Sequence, residues 1–443
     1  MALLSRFSKE CLPCNFLIFI LTFGAFSFLI NCSGSNYVSS NHRQDDGEKQ
    51  LLYENNPAVN GQKIPDDRFQ SLQLYKGSQT ESLPAIRLGS DEYLILRFDE
   101  MTSSGRLYKI TFSHRNADWS DSNLMAGTYL KGFREDVISE NSPGSSQEPH
   151  YVHYRYRFPN DRIQFRYSGN YLLEVRSYET GELLFSLPFF IHEHQGDLQT
   201  EIEEIYNLSP AYFLHHQPFL RYRYPSFVTS PDMDITMGIT QNRFWGRTVQ
   251  TQHHDSAEFG VYRGYIDRDD SFIGMKEFRP LRIRRYDDAH PEIIRINPET
   301  IPVEVFLFRD VVNLNVSPRL RHMSYFGLPR HHTRSRYVNV QFELQYEPSE
   351  DPIYVYGPFN HWQIREENRL RYRPETRSWH GSALIKEGEY IYSYAVVDQD
   401  RIDDVRLDAS FSSSRLEYTY TIYYRDPLWQ ADRLLFMKSQ WTR

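Results

Sequence analysis

Between Ser113 and Leu124 the chain reads SHRNADWSDSNL, setting His114, Asn116, Asp118, Trp119, Asp121 and Asn123 within twelve positions. Three chemistries are open to such a run. His114, Asp118 and Asp121 are possible metal ligands, but they mix soft and hard preferences, and no matching His or Cys pair follows. Asp118 and Asp121 could act as a glycosidase pair, yet two carboxylates three apart on one turn rarely flank a sugar from opposite faces. The third reading is structural. Asx and ST residues bond their own backbone, and Trp119 buries a large apolar body whose N–H needs a partner. This reading predicts a rigid polar corner with no metal.

Other candidate constellations are sparser. Adjacent histidines occur at His215-His216, His253-His254 and His331-His332, where strand geometry sends neighbours to opposite faces. His192 and His194 share a face but have no third ligand nearby in sequence. The chain contains no GxSxG elbow, phosphate loop or HExxH. No catalytic residue and no cofactor is therefore assigned.

The elements that would position these residues are β-rich. The 443 residues exceed one ordinary core, and aromatics make up 15% of them, with 32 Tyr and 29 Phe. LYKITFSH runs into the opening stretch as a strand. YLLEVRS and LLFSLPFF are joined through Tyr178-Glu179-Thr180-Gly181, a hairpin signal. No long amphipathic helix is evident. The expected fold is all-β: three tandem immunoglobulin-like sandwiches over 81–195, 196–335 and 336–425, with a tail at 426–443.

The amino-terminal segment has a different character. Arg6 and Lys9 precede the apolar run Phe16–Ile30, which is short for a bilayer span and reads as an export signal over residues 1–32. It ends in LINCSGS, where Leu29 three positions before Cys32 resembles a lipobox. Acylation at Cys32 is expected, with cleavage nearby and an uncleaved anchor as the alternatives. A polar stretch over 33–80 reads as a tether. Cys11, Cys14 and Cys32 are the only cysteines, so a chain starting at Cys32 can form no internal disulfide. The formal charge of -8 gives no basic surplus for nucleic acid.

Together the runs LRFDEM, SHRNADWSDSNL, YLKGFRED, YRFPND and SGNYLLEV resemble, in order and spacing, the first domain of the type IX secretion system plug family. Gln241, Asn242 and Arg243 match its QNxR element, and Glu277, Phe278 and Arg279 its EFR element. Where the family commonly has Cys, this chain has Arg115. The resemblance covers about 81–425. It implies a non-enzymatic periplasmic protein, associated with the outer membrane, that closes the inner mouth of a large β-barrel translocon when no cargo partner is engaged. The run Gly357, Phe359, Asn360, Trp362 also resembles glycogen-binding sandwiches, and the rival function is a carbohydrate-binding lipoprotein with Trp362 as its platform. The aromatic expected after the VDG-type turn is replaced by Gln399, Asp400 and Arg401, so Trp362 is expected in a core.

Overall fold

The structure is a computed structural model that describes residues 53–145, 147–206, 214–255, 258–283, 290–312, 327–410 and 414–442. Cys32, the leader and residues 33–52 of the polar segment lie outside the described residues. From Leu52 onward the chain is one compact unit, all-β and built of three sandwiches.

The first sandwich follows from strict alternation. Tyr108–Arg115 buries every second residue, sending Tyr108, Ile110, Phe112 and His114 inward. This strand pairs with Gly169–Ser177, which pairs in turn with Leu183–His192 through the hairpin, where Gly181 takes φ +74°. Ala85–Arg87 and Glu135–Ile138 complete that sheet. The facing sheet has the order Phe69–Lys76, Leu94–Glu100, Val152–Phe158, Asn141–Pro143. Between them the rings of Phe69, Phe98, Tyr108, Tyr154 and Phe185 meet mostly edge to face, at centroid distances of 4.8–5.9 Å.

The middle sandwich has one sheet built on Asp197–Tyr206, Leu214–Arg223 and Val261–Tyr265. The other has the order Val249–Thr251, Ile235–Gln241, Glu417–Asp426, Ala431–Trp441. The third sandwich sets Arg279–Ile283, Ile353–Tyr356 and Gly388–Asp398 against Glu304–Leu307, Tyr337–Gln345 and Ser378–Lys386.

This differs from a tandem order at three places. Phe69–Lys76 is a core strand of the first sandwich and not tether, because Phe69, Leu72 and Leu74 fill its core. Residues 279–283 and 290–311 serve the third sandwich and not the middle one, since Arg279–Ile283 pairs with Gly388–Asp398 and Glu304–Leu307 with Tyr337–Gln345. The segment read as a tail contains Ala431–Trp441, which pairs along its length with Glu417–Asp426; that strand, expected in the third domain over 336–425, pairs with Ile235–Gln241, and both strands close the middle sandwich.

Candidate functional site: the seams between the sandwiches

The polar residues singled out by the sequence gather where sandwiches meet. Within the opening loop, Asn116 Nδ2 donates to Ser120 Oγ and to the Asp121 carbonyl. Asp118 Oδ1 accepts from Ser120 N and Oγ, and the turn lets Trp119 and Asn123 adopt φ of +65° and +59°. That backbone shape aims Trp119 inward, 5% exposed, against Phe190 at 5.5 Å. Around it lie Ala85, Trp245, Tyr423, Leu434 and Met437, a cluster shared by the first and middle sandwiches.

Hydrogen bonds follow the same seam. Ala117 N donates to Asp432 Oδ2 at 2.9 Å, Asp432 N to Asn116 Oδ1, and Gln250 Nε2 to the Ala117 carbonyl. Buried Asn170 relays between them, donating to the Asn116 and Ala117 carbonyls while accepting from Tyr423 Oη. The loop is thus a clasp.

Its three candidate ligands do not converge. His114 lies inside the first sandwich, with Nε2 on the Ser168 carbonyl and the Tyr129, Tyr167 and Tyr171 rings around it; burial pushes its pKa down to about 4. Asp118 is exposed and serves its own loop, while Asp121 pairs with Arg115 at 2.6 Å. Nor do His192 and His194 form a site: His194 stacks on Phe436 and burial lowers His192 to about 4. Among the described residues no group of three His, Cys, Asp or Glu could hold a metal.

The family-motif residues form a second seam. Asn242 and Arg243 adopt φ of +54° and +59°, a costly conformation held by Asn242 N donating to the Glu417 carbonyl. Arg243 then meets Glu417 at 2.7 Å, both nearly buried, and also reaches the Ser82 carbonyl of the first sandwich. Gln241 Nε2 donates to Tyr418 Oη. Glu277 accepts from Arg415 N, and Arg279 pairs with Asp408 at 2.8 Å and Asp310 at 3.5 Å. Phe278 packs on Trp362 at 4.9 Å.

Trp362 itself is 7% exposed, enclosed by Phe244, Phe278 and Tyr356. Asn360 holds its turn by bonding Gly357 N and the Val355 carbonyl, so His361 and Trp362 both take positive φ. The indole points into the seam with the middle sandwich and presents no sugar platform.

A third seam escaped the sequence reading. Asp99 of the first sandwich and Lys386 of the third are wholly buried and 2.5 Å apart. Asp99 also accepts from Tyr337 Oη and bonds His153 Nδ1, both at 2.7 Å. Lys386 donates to the His332 carbonyl and lies 4.1 Å from the Tyr151 ring centre. Burial pushes the Asp99 carboxyl up, but Lys386 and His153 outweigh it and hold it below the usual range; burial lowers Lys386 despite Asp99. The only sequence signal was the charged residues at the ends of two β-rich runs, Arg97, Asp99 and Glu100 in LILRFDE and Lys386 closing SWHGSALIK.

A strap joins the seams. Glu54 bridges to Arg401, Asn55 and Asn56 bond Ile402 and Gln363, Gly246 N donates to the Pro57 carbonyl, and Lys63 exchanges hydrogen bonds with Ser186. Arg365 then grips Asp67 and the Pro65 carbonyl.

The arrangement defines an all-β, multi-sandwich protein. The same fold occurs in a hypothetical protein from Parabacteroides merdae ATCC 43184, with a TM-score of 0.78 and 21% identity over 87% of this chain and all of the other. Two further solved structures, a BSP domain of a biofilm-associated protein (8% identity, 87% of this chain, 61% of the other) and the C-terminal domain of Streptococcus pyogenes AspA, of the antigen I/II family (7%, 84%, 99%), have TM-scores of 0.18 and 0.15, too low for a shared fold. No curated protein matches the chain. Residues 69–193 match the family model of the type 9 secretion system plug protein 1st domain. The chain thus resembles the type IX secretion plug family, and the match supports a role related to type IX secretion.

Proposed function

We propose that the protein is a non-enzymatic plug that closes the periplasmic side of the outer-membrane type IX translocon when the pore is not engaged with cargo. The observation that carries this reading is the first-domain match over residues 69–193. The geometry supports it: Asn116, Asn170, Arg243, Asp99 and Lys386 fasten the three sandwiches together, as a rigid obstruction needs and a catalyst does not. The glycan-binding alternative loses its platform, since Trp362 is enclosed. We propose further that the chain is exported and held at the outer membrane through acylated Cys32. Intact-mass analysis of the mature protein tests the anchor: a diacylglyceryl and acyl increment on Cys32 is expected, and an unmodified terminus downstream of it removes the anchor. The plug reading is tested by dye entry. Cells lacking the protein should admit large dyes that are normally excluded, and the leak should vanish when the barrel is deleted as well. A leak that persists in the double deletion contradicts plugging.

A further inference from the structure

At one end of the middle sandwich the strands Glu417–Asp426 and Ala431–Trp441 meet in a tight turn, Pro427-Leu428-Trp429-Gln430. The turn is rigidly built. Asp426 Oδ1 accepts from Leu428 N and Trp429 N, Gln430 N returns to the Asp426 carbonyl, and Gln430 Nε2 donates to the Pro427 carbonyl. Yet Leu428 is 78% exposed and Trp429 47%, so the turn presents two large apolar side chains that add little to folding. Beside it, Phe227 packs on Tyr424 at 5.4 Å, and Met233, 77% exposed, precedes the strand paired with Tyr424. Leu428, Trp429, Phe227 and Met233 thus lie at the same end of the sandwich.

We infer that this Leu428-Trp429 knob is a docking element that enters an apolar pocket of a partner protein; on the plug reading, on which this inference rests, that pocket belongs to the translocon. Charge selects a protein over a membrane. The flanking charges are neutralised inside the chain, Arg433 by Glu193 and Asp426, and Arg425 by Asp432. The chain as a whole carries -8, so electrostatics works against an anionic bilayer. Area selects a larger partner over a second copy. Stable dimers bury on the order of 1,200–2,000 Å² in total, whereas a patch of four side chains offers on the order of a few hundred. A Trp held on a preordered turn, with Arg425 and Arg433 four positions to either side in sequence, has the composition of an interface anchor with a polar rim.

The test compares the full-length chain with its Leu428→Ala/Trp429→Ala variant in co-purification with the translocon barrel from detergent-solubilised outer membrane. Flotation of the full chain carrying Cys32→Ala with phosphatidylethanolamine/phosphatidylglycerol vesicles runs in parallel. The expected result is retention by the barrel at least about tenfold weaker for the variant, an unchanged melting temperature, and no flotation. Equal retention of variant and wild type overturns the knob while leaving the plug reading intact. Flotation that depends on Trp429 assigns the knob to lipid and overturns the protein pocket. If the wild type itself is not retained, the plug reading falls and the knob's partner with it. Should the double variant melt early, Trp429→Ala alone carries the comparison.

Discussion

Trp119 shows what the loop residues are for. Its indole is held by a turn in the left-handed region and closes a cluster to which two sandwiches contribute. Truncating a buried aromatic costs about 3–5 kcal/mol, so Trp119→Ala should lower the unfolding free energy of the whole unit by that amount, read as a lower urea midpoint. EDTA should leave the midpoint unchanged, since His114, Asp118 and Asp121 are each engaged elsewhere; a midpoint that falls with EDTA would restore the metal reading. His114 carries a second expectation. Its folded pKa of about 4 lies below the unfolded value of about 6.5. The unfolded chain therefore binds the proton first, so the contribution is complete above about pH 6.5 and is lost as pH falls toward 4. His192 acts in the same direction. His114→Gln should thus flatten the dependence of stability on pH between 6.5 and 4 by up to about 1.4 kcal/mol per pH unit. Identical slopes for variant and wild type, from urea melts at stepped pH, would refute the burial argument.

Among the elements, strands with one wet face were legible and strands that cross between sandwiches were not. LYKITFSH alternates, and the hairpin at Gly181 has its turn chemistry in place, because each depends on neighbours close in sequence. Phe69–Lys76 carries a register shift between Gln70 and Gln73 that breaks its alternation, and it disappeared into the polar segment before it. The corner character of SHRNADWSDSNL was likewise readable from its Asx and Ser residues. Its partners Asp432 and Gln250 were not, being over 100 residues away. The strap is the extreme case, since its backbone contacts follow from no side-chain pattern. A Cβ on Gly246 would collide with the Ala58 carbonyl, a backbone atom that can move only if the strap lifts. Gly246→Ala should therefore leave the far-ultraviolet dichroism of the sandwiches intact and expose Lys63 and Arg68 to rapid trypsin cleavage. Cleavage at the wild-type rate would mean that the strap tolerates the added methyl without release.

For the whole molecule, interleaving replaces tandem order. The chain builds the first sandwich, starts the middle one, completes the third, and returns through Glu417–Asp426 and Ala431–Trp441 to finish the middle one. Asp99 and Lys386 then fasten first to third across 287 positions of sequence. Such a body should unfold cooperatively, because removing one partner of a buried ion pair strands the other charge. The return strand gives the sharpest test. Ala431–Trp441 supplies Leu435 and Phe436 to the middle core, Leu434 and Met437 to the Trp119 cluster, and Ala431 to the first core. Its neighbour Glu417–Asp426 would become a bare sheet edge without it. A chain ending at Arg425, where a tandem reading would stop, should consequently fail as a unit: loss of the single thermal transition, aggregation during purification, and tryptophan emission shifted to the red as Trp119 and Trp245 meet water. A truncated chain that stays monomeric and melts like the full one would show that the last strand is dispensable. The middle sandwich would then be independent of the seam that Trp119 closes.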